Sequence, residues 1–215
     1  MSVYENIHED YFTYTWDTYN EYDDENDTSF YVMDGYIATL KADLNLRGKI
    51  TIPATHTDPT TGVAKPVWGI EKFNPYGDSQ PNTVITHVFV GREKLDDNTS
   101  TNLRVVKGST FRSCVALEYF DFPSTSLRQI GDQAFRGTPL KPNYTSNSYY
   151  FGDNLYRIGT QAFNQSLDFN GNTNIDLIFS NALTILGSGA FSYIKGDNKL
   201  SVLNIYIGNN SGDLS

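Results

Sequence analysis

The residues that could do chemistry are few and scattered. His8, His56 and His87 share no HExxH spacing and join no Cys/His cluster, so no tetrahedral zinc set is expected. Asp23, Glu25, Asp27, Ser29 and Asp34 imitate part of a calcium loop. The sixth position, which needs glycine for its sharp turn, is Thr28, and the twelfth is Asp34 rather than glutamate. The run is read as a solvated acidic segment. Cys114, the single cysteine, excludes an internal disulfide and is read as a small core residue. No GxSxG elbow or phosphate loop occurs. The carboxylates are many, but no spacing marks a glycosidase pair. The expectation is a protein without catalytic residues, metal or cofactor. One stretch still invites a ligand: the Gly-centred LRQIGDQAF at 127–135.

That stretch is not alone. Its frame returns as LYRIGTQAF at 155–163 and LTILGSGAF at 183–191. Phe111, Phe135, Phe163 and Phe191 close four copies, at intervals of 24, 28 and 28 residues. An aliphatic residue stands eight before each Phe (Leu103, Leu127, Leu155, Leu183) and another five before it (Val106, Ile130, Ile158, Leu186). Upstream of the frames lies a second motif, apolar-any-apolar followed by Pro, Gly or Ser. Its copies are VFVG at 88–91, FDFP at 120–123, YYFG at 149–152, LIFS at 177–180 and IYIG at 205–208. ITIP at 50–53 is the first, followed after an insertion by VWGI at 67–70. Such brief alternation stopped by a turn residue predicts a short strand. A unit this small buries its apolar side only by stacking on neighbours. The frame glycine suits a bend with positive φ or a close backbone approach, the alanine a crowded spot and the Phe the interior.

FDFPSTSLRQIGDQAFRGTPL (120–140) resembles the BspA-like leucine-rich repeat, with Cys114, Thr138, Ser166 and Ile194 on the position where that repeat carries cysteine. YVMDGYIATLKADLNLRGKITIP (31–53) resembles the hairpin cap and first strand that precede such arrays. The resemblance covers about residues 31–208. It implies a solenoid of about 5–6 repeats of about 28 residues, β-rich with short helices or turns. A parallel sheet would line one face, and the function would be binding or adhesion rather than chemistry. Residues 1–30 then stand apart as an arm and 31–215 form the solenoid.

In a period-two strand the residues between the buried ones face outward. One outward column is therefore Thr51, Phe89, Asp121, Tyr150, Ile178 and Tyr206, and a second is Lys49, His87, Tyr119, Ser148, Asp176 and Asn204. Phe89, Tyr119, Asp121, Tyr150, Ile178 and Tyr206 are the candidate binding residues, because aromatics bring large contact area at small entropy cost. The competing reading is a structural ladder, or a face covered by the arm.

Charge is concentrated in the arm. Residues 1–40 hold ten acidic residues and no Lys or Arg, which leaves the remainder near neutral within a net charge of −9. No basic stripe is present, so nucleic acid is not an expected partner. Residues 1–30 also carry eight aromatics, more than disordered tails hold. The arm either caps the solenoid or docks on another chain. No run approaches the length of a membrane span. MSVYENIHEDYF lacks the basic and apolar regions of a secretory signal. An extracellular surface or a virion is favoured over the cytoplasm. The first expectation is a recognition or adhesion module for a protein or surface glycan. The second is a virion or appendage subunit attached through the arm, like a phage tail or head fibre.

Overall fold

The computed structural model describes residues 12–23, 28–41, 48–74, 81–91, 101–142, 147–168, 174–194 and 202–208. Among them the chain forms fourteen strands and no helix. They are β1 (Phe12–Asp23), β2 (Thr28–Leu40), β3 (Gly48–Ile52), β4 (Thr55–Thr57), β5 (Ala64–Glu71), β6 (Ile85–Val90) and β7 (Val105–Val106). There follow β8 (Tyr119–Phe120), β9 (Gln129–Ile130), β10 (Ser148–Tyr150), β11 (Arg157–Ile158), β12 (Asn174–Phe179), β13 (Ile185–Leu186) and β14 (Val202–Ile207).

The parallel pairing is not confined to one sheet. The apolar-any-apolar motifs build two sheets, β3-β6-β8 and β10-β12-β14. The frames contribute a strand of their own: their two-residue segments β7, β9, β11 and β13 pair in parallel and extend a sheet that runs β1-β2-β5-β7-β9-β11-β13. VWGI lies in β5 and takes the frame position, with Gly69 opposite Val105 and Ile70 opposite Val106. Each unit thus supplies one strand to each of two ladders, and a turn region joins them.

Of the short helices or turns expected between the strands, only turns form among the described residues, for a reason visible in the hydrogen bonds. Through residues 133–138 the N–H groups alternate. Those of Gln133, Phe135 and Gly137 donate to Thr160, Ala162 and Asn164 of the next unit. Those of Ala134, Arg136 and Thr138 donate back three residues. Residues 109–114 and 161–166 repeat the scheme. A helix needs every N–H for its own axis; here half serve the neighbouring unit. The alternation needs left-handed backbone twice per unit, at Ser109 and Ser113, Gln133 and Gly137, Gln161 and Gln165, and Gly189 and Tyr193.

The frame glycines Gly131, Gly159 and Gly187 have no positive φ; they are sites of close approach. A Cβ on Gly159 would stand 2.5 Å from the Asp132 backbone nitrogen, and one on Gly187 2.3 Å from that of Thr160. Inside, the frame phenylalanines form a file, Phe73–Phe111–Phe135–Phe163–Phe191, with centroids 4.6, 5.0, 5.2 and 5.1 Å apart. Phe12 on β1 reaches Phe73 at 5.8 Å and closes the file at its start. β1 itself folds back antiparallel on β2, so the first hairpin is β1–β2, and β2 pairs onward with β5 rather than with β3.

Candidate functional site

The outward columns form in the expected register, but in two groups. In the first sheet Lys49, His87 and Tyr119 lie opposite one another, as do Thr51 and Phe89. In the second, Ser148, Asp176 and Asn204 align, and so do Tyr150, Ile178 and Tyr206. Tyr119 and Tyr150 are each 40% exposed. Phe89, Asp121, Ile178 and Tyr206 are half-buried. Thr51 and Ser148, expected to face outward, are buried.

His87, Phe89 and Tyr119 form one aromatic group, with Phe89 and Tyr119 at 5.5 Å and His87 about 6 Å from each. Desolvation, and then Lys49, hold the His87 imidazole below its usual pKa, against the pull of Glu118. In the second group Asn204 Nδ2 donates to Asp176 Oδ1 at 2.8 Å.

The columns divide because β8 and β10 do not pair. The Glu118 carbonyl is taken by the Lys141 N–H at 2.8 Å. Asn147, just before β10, turns into the left-handed region at φ 49°. The two segments meet again where the Asp153 N–H donates to the Ser124 carbonyl at 2.6 Å. Between these two bonds lies a cavity of about 250 Å³, lined among others by Tyr119, Asp121, Phe122, Lys141, Ser148 and Tyr150. Lys141 Nζ is held by Glu118 Oε1 at 2.6 Å. Asp121 Oδ2 accepts the Val90 N–H at 3.3 Å. The Tyr150 hydroxyl donates to the Asp153 carboxylate, and burial together with that carboxylate raises the phenol's pKa. Lys141 and Phe122 escape a sequence reading because neither lies in an outward column; only the structure brings them beside Tyr119 and Tyr150.

Cys114 and His56 are engaged in packing. Cys114 is buried, and burial alone pushes its thiol up to about 12, away from the thiolate a nucleophile needs. His56 stacks on Tyr14 at 3.8 Å. Glu25 and Asp27 of the acidic run, and His8, lie outside the described residues. Among the described residues no three His, Cys, Asp or Glu side chains gather as metal ligands. No described helix is long and apolar enough to cross a membrane.

Two independent ladders, the file of phenylalanines and the repeated turns define a β-rich repeat protein. Residues 82–210 match the model of the BspA type leucine rich repeat region in six copies, and the chain belongs to that family. No curated protein and no solved structure matches it. The match begins after β5, yet β3 and β5 pair with β6 and β7, so the same architecture extends ahead of the matched residues.

Proposed function

We propose that the chain is a non-catalytic recognition module, a leucine-rich-repeat solenoid that binds another protein or a surface glycan through the face carrying Phe89, Tyr119, Asp121, Tyr150, Ile178 and Tyr206. The observation that carries this reading is the exposure of Tyr119 and Tyr150 on the facing strands β8 and β10, with Phe89 and His87 beside Tyr119. A purely structural ladder gains by burying such rings; here they keep area to offer a partner. Family membership adds support, since stacked repeats commonly serve as extended binding surfaces.

The test is adhesion of protein-coated beads to a panel of immobilised extracellular-matrix proteins and glycans. Wild type is expected to adhere to at least one of them. Tyr119→Ala and Tyr150→Ala, each with an unchanged melting temperature, are expected to lose that adhesion. Equal adhesion by all three would refute the assigned face. The alternative, a virion or appendage subunit docked through residues 1–30, draws on the acidic, aromatic composition of that segment. The pairing of β1 with β2 and the contact of Phe12 with Phe73 favour a cap over a docking arm.

A further inference from the structure

We infer that the break between β8 and β10 is a subsite for one pyranose ring of an uncharged glycan, with the aromatic group of β6 and β8 as a platform for the adjoining residue. The inference rests on the recognition reading above and narrows it to a ligand class.

The shape of the break decides between ligands. An added peptide strand needs an open edge along which it can run and hydrogen-bond. This gap is closed at one end by Lys141 N–H to Glu118 and at the other by Asp153 N–H to Ser124. It is a basin rather than a channel, and its 250 Å³ lies below the usual range of about 300–1,000 Å³ for drug-sized ligands. A compact ring fits it; an extended segment does not.

The lining matches the two-sided chemistry of a sugar. A pyranose has apolar C–H faces that stack on aromatic rings, and a rim of hydroxyls that both donate and accept. Tyr119 and Tyr150 supply exposed rings on opposite sides of the break, and Phe122 adds apolar lining. Asp121 can accept from hydroxyls, Lys141 can donate to them, and Ser148 can do either. The Lys141 ammonium is already paired with Glu118 at 2.6 Å, so the lining does not select for an anionic ligand, which suits a neutral one.

The groups are held in place before any ligand arrives. Glu118 anchors Lys141, the Val90 N–H orients Asp121, and Asp153 fixes the Tyr150 hydroxyl. Prior ordering lowers the entropic cost of binding. Phe89 lies 5.5 Å from Tyr119, and His87 stands beside both, so the aromatic surface continues past the basin across one strand spacing.

Saturation-transfer NMR on the full chain tests this, with the methyl pyranosides of glucose, galactose, mannose and N-acetylglucosamine and their β-linked disaccharides as probes. At least one probe is expected to receive saturation, and its disaccharide to bind more tightly. Asp121→Asn and Tyr150→Ala, each confirmed folded by its melting curve, are expected to weaken that probe by about tenfold or more. Arg157→Ala, on the other ladder, is expected to leave it unchanged. No transfer to any probe overturns the inference, and so does transfer that both basin variants retain in full. Bead adhesion to a matrix protein that persists without sugar binding rejects the subsite alone; loss of both rejects the recognition reading as well.

Discussion

Phe135 and Phe163, one unit apart, lie with centroids 5.2 Å apart and ring planes within 3° of parallel. Both are fully buried, and each also touches Phe122 from the other ladder. The file they belong to joins the units, so it carries nearest-neighbour energy rather than energy internal to one repeat. Phe135→Ala is expected to cost about 3–5 kcal/mol, read as a lowered urea midpoint. Phe191 ends the described file and is only half-buried. Its truncation should cost clearly less. Equal losses at the two positions would contradict a stack built on neighbour contact.

Gly159 tests close approach separately from backbone freedom. Its φ is not positive, yet a Cβ there would meet the backbone of Gly131 and Asp132 at 2.5–2.6 Å. Backbone cannot swing aside as a flexible side-chain tip can, so Gly159→Ala is expected to destabilise by about 1–3 kcal/mol or more. Gln161, two residues on, has φ 55°. Replacing it with Gly relieves a left-handed residue and should change stability by no more than about 1 kcal/mol. Thermal melts of the two variants check both signs.

That pair also marks what sequence could and could not tell. The glycine announced itself by recurring in the frame, and its neighbours revealed a shared interior through Ala162 and Phe163. The left-handed glutamines gave no signal, because Gln carries no preference for that conformation. The frame strands β7, β9, β11 and β13 were likewise hidden: two residues are too few to display alternation. The outward columns were legible because strand period and unit spacing fix them together. The break between β8 and β10 was not. SYY reads like any other strand of the set, and the cause lies in Lys141 taking the Glu118 carbonyl and in the turn at Asn147.

The first hairpin offers a stability test. Phe12 is buried, contacts Phe73 at 5.8 Å and covers the file where no earlier frame exists. Tyr19 packs on Trp68 at 5.4 Å farther along the same strand. Phe12→Ala is expected to cost about 3–5 kcal/mol, and deleting residues 1–23 to cost more. A deletion variant that melts at the wild-type temperature would show that β1 is not needed as a cap.

Cys114 should be chemically silent until the chain unfolds. Its thiol is buried beneath the turn that follows Phe111, and burial pushes its pKa to about 12. The positions one and two units on carry Thr138 and Ser166, whose hydroxyls donate to the carbonyls of Phe111 and Thr138. Two neighbouring units thus seat a hydroxyl at this position, and Cys114→Ser should fold. Native protein is expected to resist a thiol-reactive dye at pH 8, and denaturant to expose one thiol per chain. Rapid labelling of folded protein would mean that the site opens locally.

His87 gives the face a pH response whose sign is fixed by linkage. Desolvation and Lys49 lower its folded pKa below the unfolded value of 6.5, with Lys141 acting in the same direction and Glu118 opposing. A proton is then bound more readily by the unfolded chain, so stability rises with pH across this window. The contribution is complete above the unfolded pKa and is lost as pH falls below about 6.5 toward the folded value. Urea midpoints taken between pH 7.5 and 5 should decline, and His87→Gln should flatten that decline. The same protonation would place a cation about 6 Å from both Phe89 and Tyr119 and close enough to Lys49 and Lys141 to feel their charge. An equal decline in wild type and variant would assign the pH dependence to other groups and leave His87 a packing residue alone.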